Sequence, residues 1–203
     1  MPAVFWVSPE HTIDTQEIPM RKLVNSTYIT LDGVIENPMW TAPYFDQEAI
    51  GLAGELTDAA DAMLMGRATY DGMSVAWPQQ DESDPTTGAA YFNNVKKYVA
   101  STTLTDPTWN NTEVLQGDLV EAVRALKAQD GKNIIQYGFG SVTAQLVDAG
   151  LVDEVRFWIH PVLQGASSVT TPLEGFTASF DLVDTRVHKS GVIVATYRPK
   201  TAA

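Results

Sequence analysis

The chain contains no cysteine, which excludes disulfides, thiolate nucleophiles and cysteine-ligated metals. Basic residues are scarce. Thirteen Lys and Arg against 25 Asp and Glu give a formal net charge of −12. That balance argues against a nucleic-acid backbone or an anionic membrane as partner, but leaves room for a small anion held locally. The histidines His11, His160 and His188 lie in different sequence contexts, so no metal cluster is visible and no metal is expected. No apolar run is long enough to span a membrane. The opening residues do not make a secretion signal, because "VFWV" is short and Glu10, Asp14 and Glu17 follow it. These absences predict a soluble, cytoplasmic protein.

With 203 residues, 44% of them hydrophobic, the chain can bury one sizeable core. Residues 1–19 carry no hydrophobic period and read as an extension ahead of a single domain spanning 20–203. Within it, "KLVNSTYITLDG" predicts a β-branched strand closed by an Asp-Gly turn, and Pro38 and Pro43 predict a loop. Asp46 has the look of an N-cap for an amphipathic helix over Ala49, Leu52, Ala53 and Leu56. "AMLMG" is a short buried strand, "RATYDGM" a helix start, and Trp77–Asn94 a long polar loop. "KKYVAS" and the weaker "TEVLQ" are strands. Asp118 caps a helix over Leu119, Val123 and Leu126 that Gly131 is expected to end. "NIIQY" is a strand, Ser141–Ala149 a helix closed by Gly150, and "EVRFWIHPVL" a strand buried on both faces. The last stretch reads as an antiparallel hairpin through "KSG". Alternating strands and helices imply an α/β fold with a mostly parallel sheet, whose ligands bind at the carboxyl ends of the strands.

Three motifs stand just after strands. In "MGRATYDGM", Gly66 and Arg67 open a helix beside Thr69, an arrangement that suits a phosphate; a solvated arginine is the competing reading. In "YGFGS", Gly138 and Gly140 flank Phe139 ahead of the helix from Ser141, although the turn lacks the full signature of a P-loop or dinucleotide fingerprint. In "LDG", Asp32 could orient a substrate or relay a proton, or simply make a turn. The Ser101, Thr102 and Thr103 hydroxyls at the end of "KKYVASTTL" could grip a phosphate or ribose, or form an ordinary turn. His160 reads as a core histidine.

Taken in order, "ITLDGVIENP", "AMLMGRATYDGM", "KKYVASTTL" and "IIQYGFGSVTAQLVDAGLVDEVRFWIHPVLQG" resemble the dihydrofolate reductase-like superfamily, in the branch of the C-terminal reductase domain of bifunctional riboflavin-biosynthesis enzymes. The resemblance implies a single dihydrofolate reductase-like domain with a C-terminal antiparallel hairpin, and NADPH across the carboxyl ends of its central strands. It places Gly66, Arg67, Ala68 and Thr69 at the adenosine phosphate end and Ser101 and Thr102 near the 2′-phosphate or ribose. Gly138, Phe139, Gly140 and Ser141 would hold the pyrophosphate, with Thr30, Leu31 and Asp32 on the nicotinamide and substrate side. It further implies hydride transfer to a C=N or C=O group of a small heterocyclic or sugar-derived substrate, and a homodimer. Phe139 stands where dihydrofolate reductases carry the middle of three glycines, and no helix carboxylate aligns with their pteridine ligand, so folate reduction is not implied. The competing function is a nucleotide-binding or structural dimer module without turnover.

Overall fold

The β-branched run that opens the domain forms strand β1 (Leu23–Thr30) in a computed structural model that describes residues 20–165 and 176–200. The expected extension, residues 1–19, lies outside the described residues. Each short apolar run that follows also becomes a strand: β2 (Ala60–Gly66), β3 (Lys96–Ala100), β4 (Thr112–Val114), β5 (Asn133–Tyr137) and β6 (Glu154–His160). β7 (Phe180–Val187) and β8 (Ile193–Pro199) form the hairpin. The eight strands lie in the order β4-β3-β2-β5-β1-β6-β8-β7. β4 through β6 are mutually parallel, and β8 is antiparallel to both β6 and β7.

Helices cover both faces, which is why the central strands are apolar on consecutive residues rather than alternate ones. Leu23, Leu64, Ile134 and Val155 point to one face, under Val123 and Leu126 of α4 (Leu119–Lys127) and Leu146 of α5 (Ser141–Asp148). Their neighbours point to the other face. Val24 and Ile135 meet Leu56 of α1 (Gln47–Asp58), and Met63 and Met65 meet Tyr70 of α2 (Arg67–Ala76). Asp46 accepts from the Glu48 and Ala49 amides and Asp118 from the Glu121 amide, the N-caps expected. Among the described residues, no helix is long and apolar enough to cross a membrane.

Several local expectations need correction. Pro38–Tyr44 is a 3₁₀ helix, with Pro38 at its start, where a missing N–H costs nothing. The polar stretch Trp77–Asn94 is not all loop, since α3 (Ala89–Asn94) closes it and Phe92 stacks on Trp77 with ring centroids 3.9 Å apart. Gly131 does not end α4, whose C-cap is Ala128. It is kept small because a Cβ there would lie 2.7 Å from Asp61 Oδ2. Gly150, by contrast, takes φ +66° just past α5, as a C-terminal glycine should. β6 is less enclosed than expected, for Arg156, Phe157 and Ile159 are only half-buried.

Lys97 on β3 is fully buried, and its ammonium is satisfied by three backbone carbonyls: Asn93 at 3.1 Å, Val95 at 2.9 Å and Asn110 at 2.9 Å. The Nζ also lies 4.5 Å from the centroid of the Trp109 ring. This one side chain ties the end of α3 to the loop before β4. Lys97→Met should leave those carbonyls unpaired and lower stability by at least about 1–3 kcal/mol in chemical denaturation. Burial pushes the Lys97 pKa from 10.5 to about 8. Between those values the unfolded chain binds more protons, so wild-type stability should rise with pH across that window relative to Lys97→Met.

Candidate functional site

The carboxyl ends of β2, β5, β1 and β6 are consecutive along one edge of the sheet. Three of the predicted site segments follow β2, β5 and β1 directly, and the fourth, Ser101 and Thr102, follows β3. α2 starts at Arg67 after Gly66, and α5 starts at Ser141 after Gly140. Their starts are packed together: a Cβ at Gly138 would lie 2.6 Å from Thr69 Oγ1, and one at Gly66 would touch Val142 Cγ2 at 3.4 Å. Two helix N-termini thus converge on one point of the edge. Both have glycine N-caps with no side-chain acceptor, whereas α1 and α4 spend aspartates on theirs. The first N–H groups of α2 and α5 and their dipoles are left for an anion.

The glycine turn is held from below by a buried polar chain that sequence reasoning missed. Asn25 on β1 pairs in register with Gln136 on β5. Thr27 Oγ1 donates to Asn25 Oδ1 at 2.9 Å, and Asn25 Nδ2 donates to Gln136 Oε1 at 3.2 Å and to the Gly138 carbonyl at 2.8 Å. Gln136 Nε2 donates to Thr143 Oγ1 at 3.0 Å. That hydroxyl donates in turn to the Gly138 carbonyl at 3.2 Å and accepts from the Gly140 amide at 3.4 Å. All four side chains are buried, so each bond is made in a medium where leaving it unmade is costly. The signal available in the sequence was a pair of amides inside otherwise apolar strands.

The remaining predicted residues divide. Gly138 has φ +84°, so it is the glycine the backbone requires; Gly140 is extended, at φ −148°. Phe139 turns its side chain into the core against Phe157, 5.1 Å between centroids, and only its backbone faces the turn. Ala68 and Ser141 are exposed at the two helix starts. Arg67 is exposed but engaged, its Nε donating to Asp71 at 2.7 and 2.9 Å. Ser101 Oγ accepts from the Thr103 and Leu104 amides, which is the ordinary-turn alternative, and Thr102 is exposed beside it.

Asp32 clamps two loops rather than standing free. Thr30 Oγ1 donates to it at 2.6 Å, and the Gln164 and Gly165 amides beyond β6 donate at 3.1 and 2.8 Å. Foremost the Thr30 hydroxyl, then the Gly165 amide, hold its carboxyl below the usual range. It is therefore ionised at neutral pH and has no proton to give. Thr30 is buried, and its hydroxyl also accepts from the Val34 amide, so its side chain is spent inside the loop. Leu31 is 62% exposed and offers apolar surface, as does Leu163 on the neighbouring loop at 70%. His160 is a core histidine, as expected. Nδ1 lies 2.8 Å from the Trp158 carbonyl, and the rings of Tyr28, Trp40 and Tyr44 meet the imidazole edge to face. Burial lowers its pKa and raises that of Tyr28 to about 12, so both are neutral packing groups that seat the 3₁₀ helix over the end of β6.

Two features lie elsewhere. A groove of 310 Å³ lined by Leu52, Glu55, Arg156, Val183, Arg186 and Thr196 opens toward the amino end of β6, with its charges paired among themselves. The sequence also gave no hint that Asp46, Glu48 and His188 come together where the β7–β8 turn meets α1.

Compared with known proteins, the chain matches the model of the RibD C-terminal domain over residues 21–194. It is 28% identical over 186 residues to the uncharacterized protein YyaP of Bacillus subtilis (strain 168), covering 90% of this chain and 97% of that one. Its fold is similar to that of a pyrimidine reductase-like protein from Corynebacterium diphtheriae (TM-score 0.58, 16% identity, 91% of this chain and 94% of that one). It is likewise similar to the riboflavin biosynthesis reductase Rib7 of Saccharomyces cerevisiae (TM-score 0.56, 11% identity, 92% and 93%). The fold is the dihydrofolate reductase-like one implied by the sequence motifs.

The turn geometry yields a comparison of two glycines. Gly138→Ala puts a side chain at positive φ and against Thr69, so it should lose at least about 1–2 kcal/mol of stability. Gly140→Ala, in extended backbone, should lose clearly less. Thermal melts of the two variants side by side check the order; equal losses would mean that the turn is not held as described.

Proposed function

The chain belongs to the RibD C-terminal domain family, a family of reductases, and on that footing we propose that it is an NADPH-dependent reductase. Its reaction is hydride transfer to a C=N or C=O group of a small heterocyclic or sugar-derived substrate. The observation that carries the reading is the convergence of the uncapped starts of α2 and α5 at the carboxyl ends of the adjacent strands β2 and β5. Backbone N–H groups at two helix starts suit a pyrophosphate, and Gly138 lets the ligand approach the main chain. Leu31 and Leu163 supply an apolar platform for flat rings on the β1–β6 side. NADPH, when bound, supplies the hydride; the residues of this chain bind and orient. Asp32 is a positioning residue in this scheme, fixing the two loops that carry Leu31 and Leu163.

The adenosine end would be read by Arg67, Thr69, Ser101 and Thr102. The Asp71 carboxylate competes for the Arg67 guanidinium, which makes a pair of opposed variants informative. Arg67→Ala should lose about 1.5–3 kcal/mol of NADPH binding, the range for hydrogen bonds to charged groups, with a smaller effect on NADH. Asp71→Asn should strengthen NADPH binding by freeing the guanidinium. Calorimetric titration of both cofactors checks the pair, and equal wild-type affinity for NADPH and NADH would refute the 2′-phosphate assignment. Loss of reduced-nicotinamide absorbance with a panel of aminopyrimidines, pterins and simple carbonyls tests the reductase reading. Nucleotide binding without turnover on any of them would favour a binding module instead.

We also propose a homodimer. β7 is an edge strand whose Leu182, Val183 and Val187 are 59, 50 and 71% exposed, apolar surface that a second copy would cover. A monomeric mass by light scattering at micromolar concentration would overturn it.

A further inference from the structure

The α1 N-terminus and the β7–β8 turn, 140 residues apart in sequence, meet at a group of side chains with no part in the nucleotide site. We propose that Asp46, Glu48 and His188 bind one divalent transition-metal ion of the zinc class at this junction. One ring nitrogen of His188 and one carboxylate oxygen from each acid lie within 4.8 Å of one another. Around a tetrahedral ion with bonds of about 2.0–2.2 Å, donor atoms sit about 3.3–3.6 Å apart, so the three donors must draw together by about 1–1.5 Å to complete the site. Glu48 is exposed, so its carboxylate can turn inward about the Lys189 amide bond.

Three observations set this grouping apart from an ordinary acidic surface. His188 is only 6% exposed, and its Nδ1 is enclosed without a hydrogen-bond partner. An unpaired polar nitrogen in such a place is costly unless something binds it. The imidazole is also held edge-on by Trp158, with ring centroids 5.9 Å apart, so its direction is fixed by the core. Each carboxylate is steered by a backbone amide through one oxygen: Asp46 Oδ1 by Glu48 and Ala49 at 3.0 Å, and Glu48 Oε2 by Lys189 at 2.8 Å. Such outer hydrogen bonds are what orient carboxylates in metal sites, and the Ser190 hydroxyl is a further neighbour of Asp46. One imidazole and two carboxylates form a mixed nitrogen and oxygen set that suits zinc, iron or cobalt rather than calcium or copper(I).

The site would link α1 to the terminal hairpin, and the test is metal binding by the chelator-treated full chain. Titration with Zn²⁺ by calorimetry should show one ion per chain, and Co²⁺ should give visible bands of nitrogen and oxygen coordination. Glu48→Gln and Asp46→Asn keep the acceptor oxygens that the backbone amides use, so both should melt in the absence of metal within a few degrees of wild type. Each should weaken Zn²⁺ binding at least tenfold. In NMR spectra the imidazole signals of His188 should shift on Zn²⁺ addition while those of His160 stay in place. Absence of saturable one-to-one binding, undiminished binding in both variants, or unmoved His188 signals would each overturn the proposal.

Discussion

Two neutral amides in the middle of the sheet decide where the glycine turn sits. Asn25 and Gln136 face each other across β1 and β5, and through Thr143 they grip the Gly138 carbonyl from two sides. The turn has few contacts of its own; Gly138 has no side chain, and its positive φ would be visited by many loop conformers. Held this way, it has one position, and the first amides of α5 have one direction. Binding to such a turn requires little reorganisation when a ligand arrives. Everything placed at that edge, from the Thr69 contact to the spacing of the two helix starts, refers back to this chain of hydrogen bonds.

The electrostatic character follows from the same design. A protein of net charge −12 is poorly suited to collect anionic nucleotides by long-range attraction. On the proposed reading, attraction at the edge of its sheet would come from backbone dipoles, which act only within the first turn of a helix, and from one arginine partly neutralised by Asp71. Recognition of that kind would be short-ranged and depend on geometry more than on charge.

Much of the frame was legible in the sequence because it is written in local chemistry. Asp46 and Asp118 are caps by residue type, Gly150 ends a helix by its conformational freedom, and the strands announce themselves as apolar runs. What escaped reading depends on residues distant in sequence. Asn25 and Gln136 look like interruptions of two strands until the strands are placed side by side. Phe139 looked like part of a ligand turn, but its ring is drawn into the core by Phe157 on another strand. Asp32 looked catalytic beside its flexible glycine, yet the amides that occupy it come from the loop after β6. His188 seemed alone because its neighbours lie on the first helix. The short helix α3 was hidden in polar sequence for a different reason: it is fixed by the stacking of Phe92 on Trp77 rather than by any period.

The strand order also dictates how the chain must be made. β1 is bordered only by β5 and β6, and 111 residues separate Asn25 from its partner Gln136. On a ribosome adding about 5–20 residues per second, β1 waits about 5–20 s for its first lateral neighbour. During that interval β2 and β3 can pair with each other, but both edges of the strand destined for the centre of the sheet stay without a strand partner. Closure of the domain is thus a late event in synthesis, triggered by the emergence of β5. Until then the N–H and C=O groups along both edges of β1 lack their native strand partners.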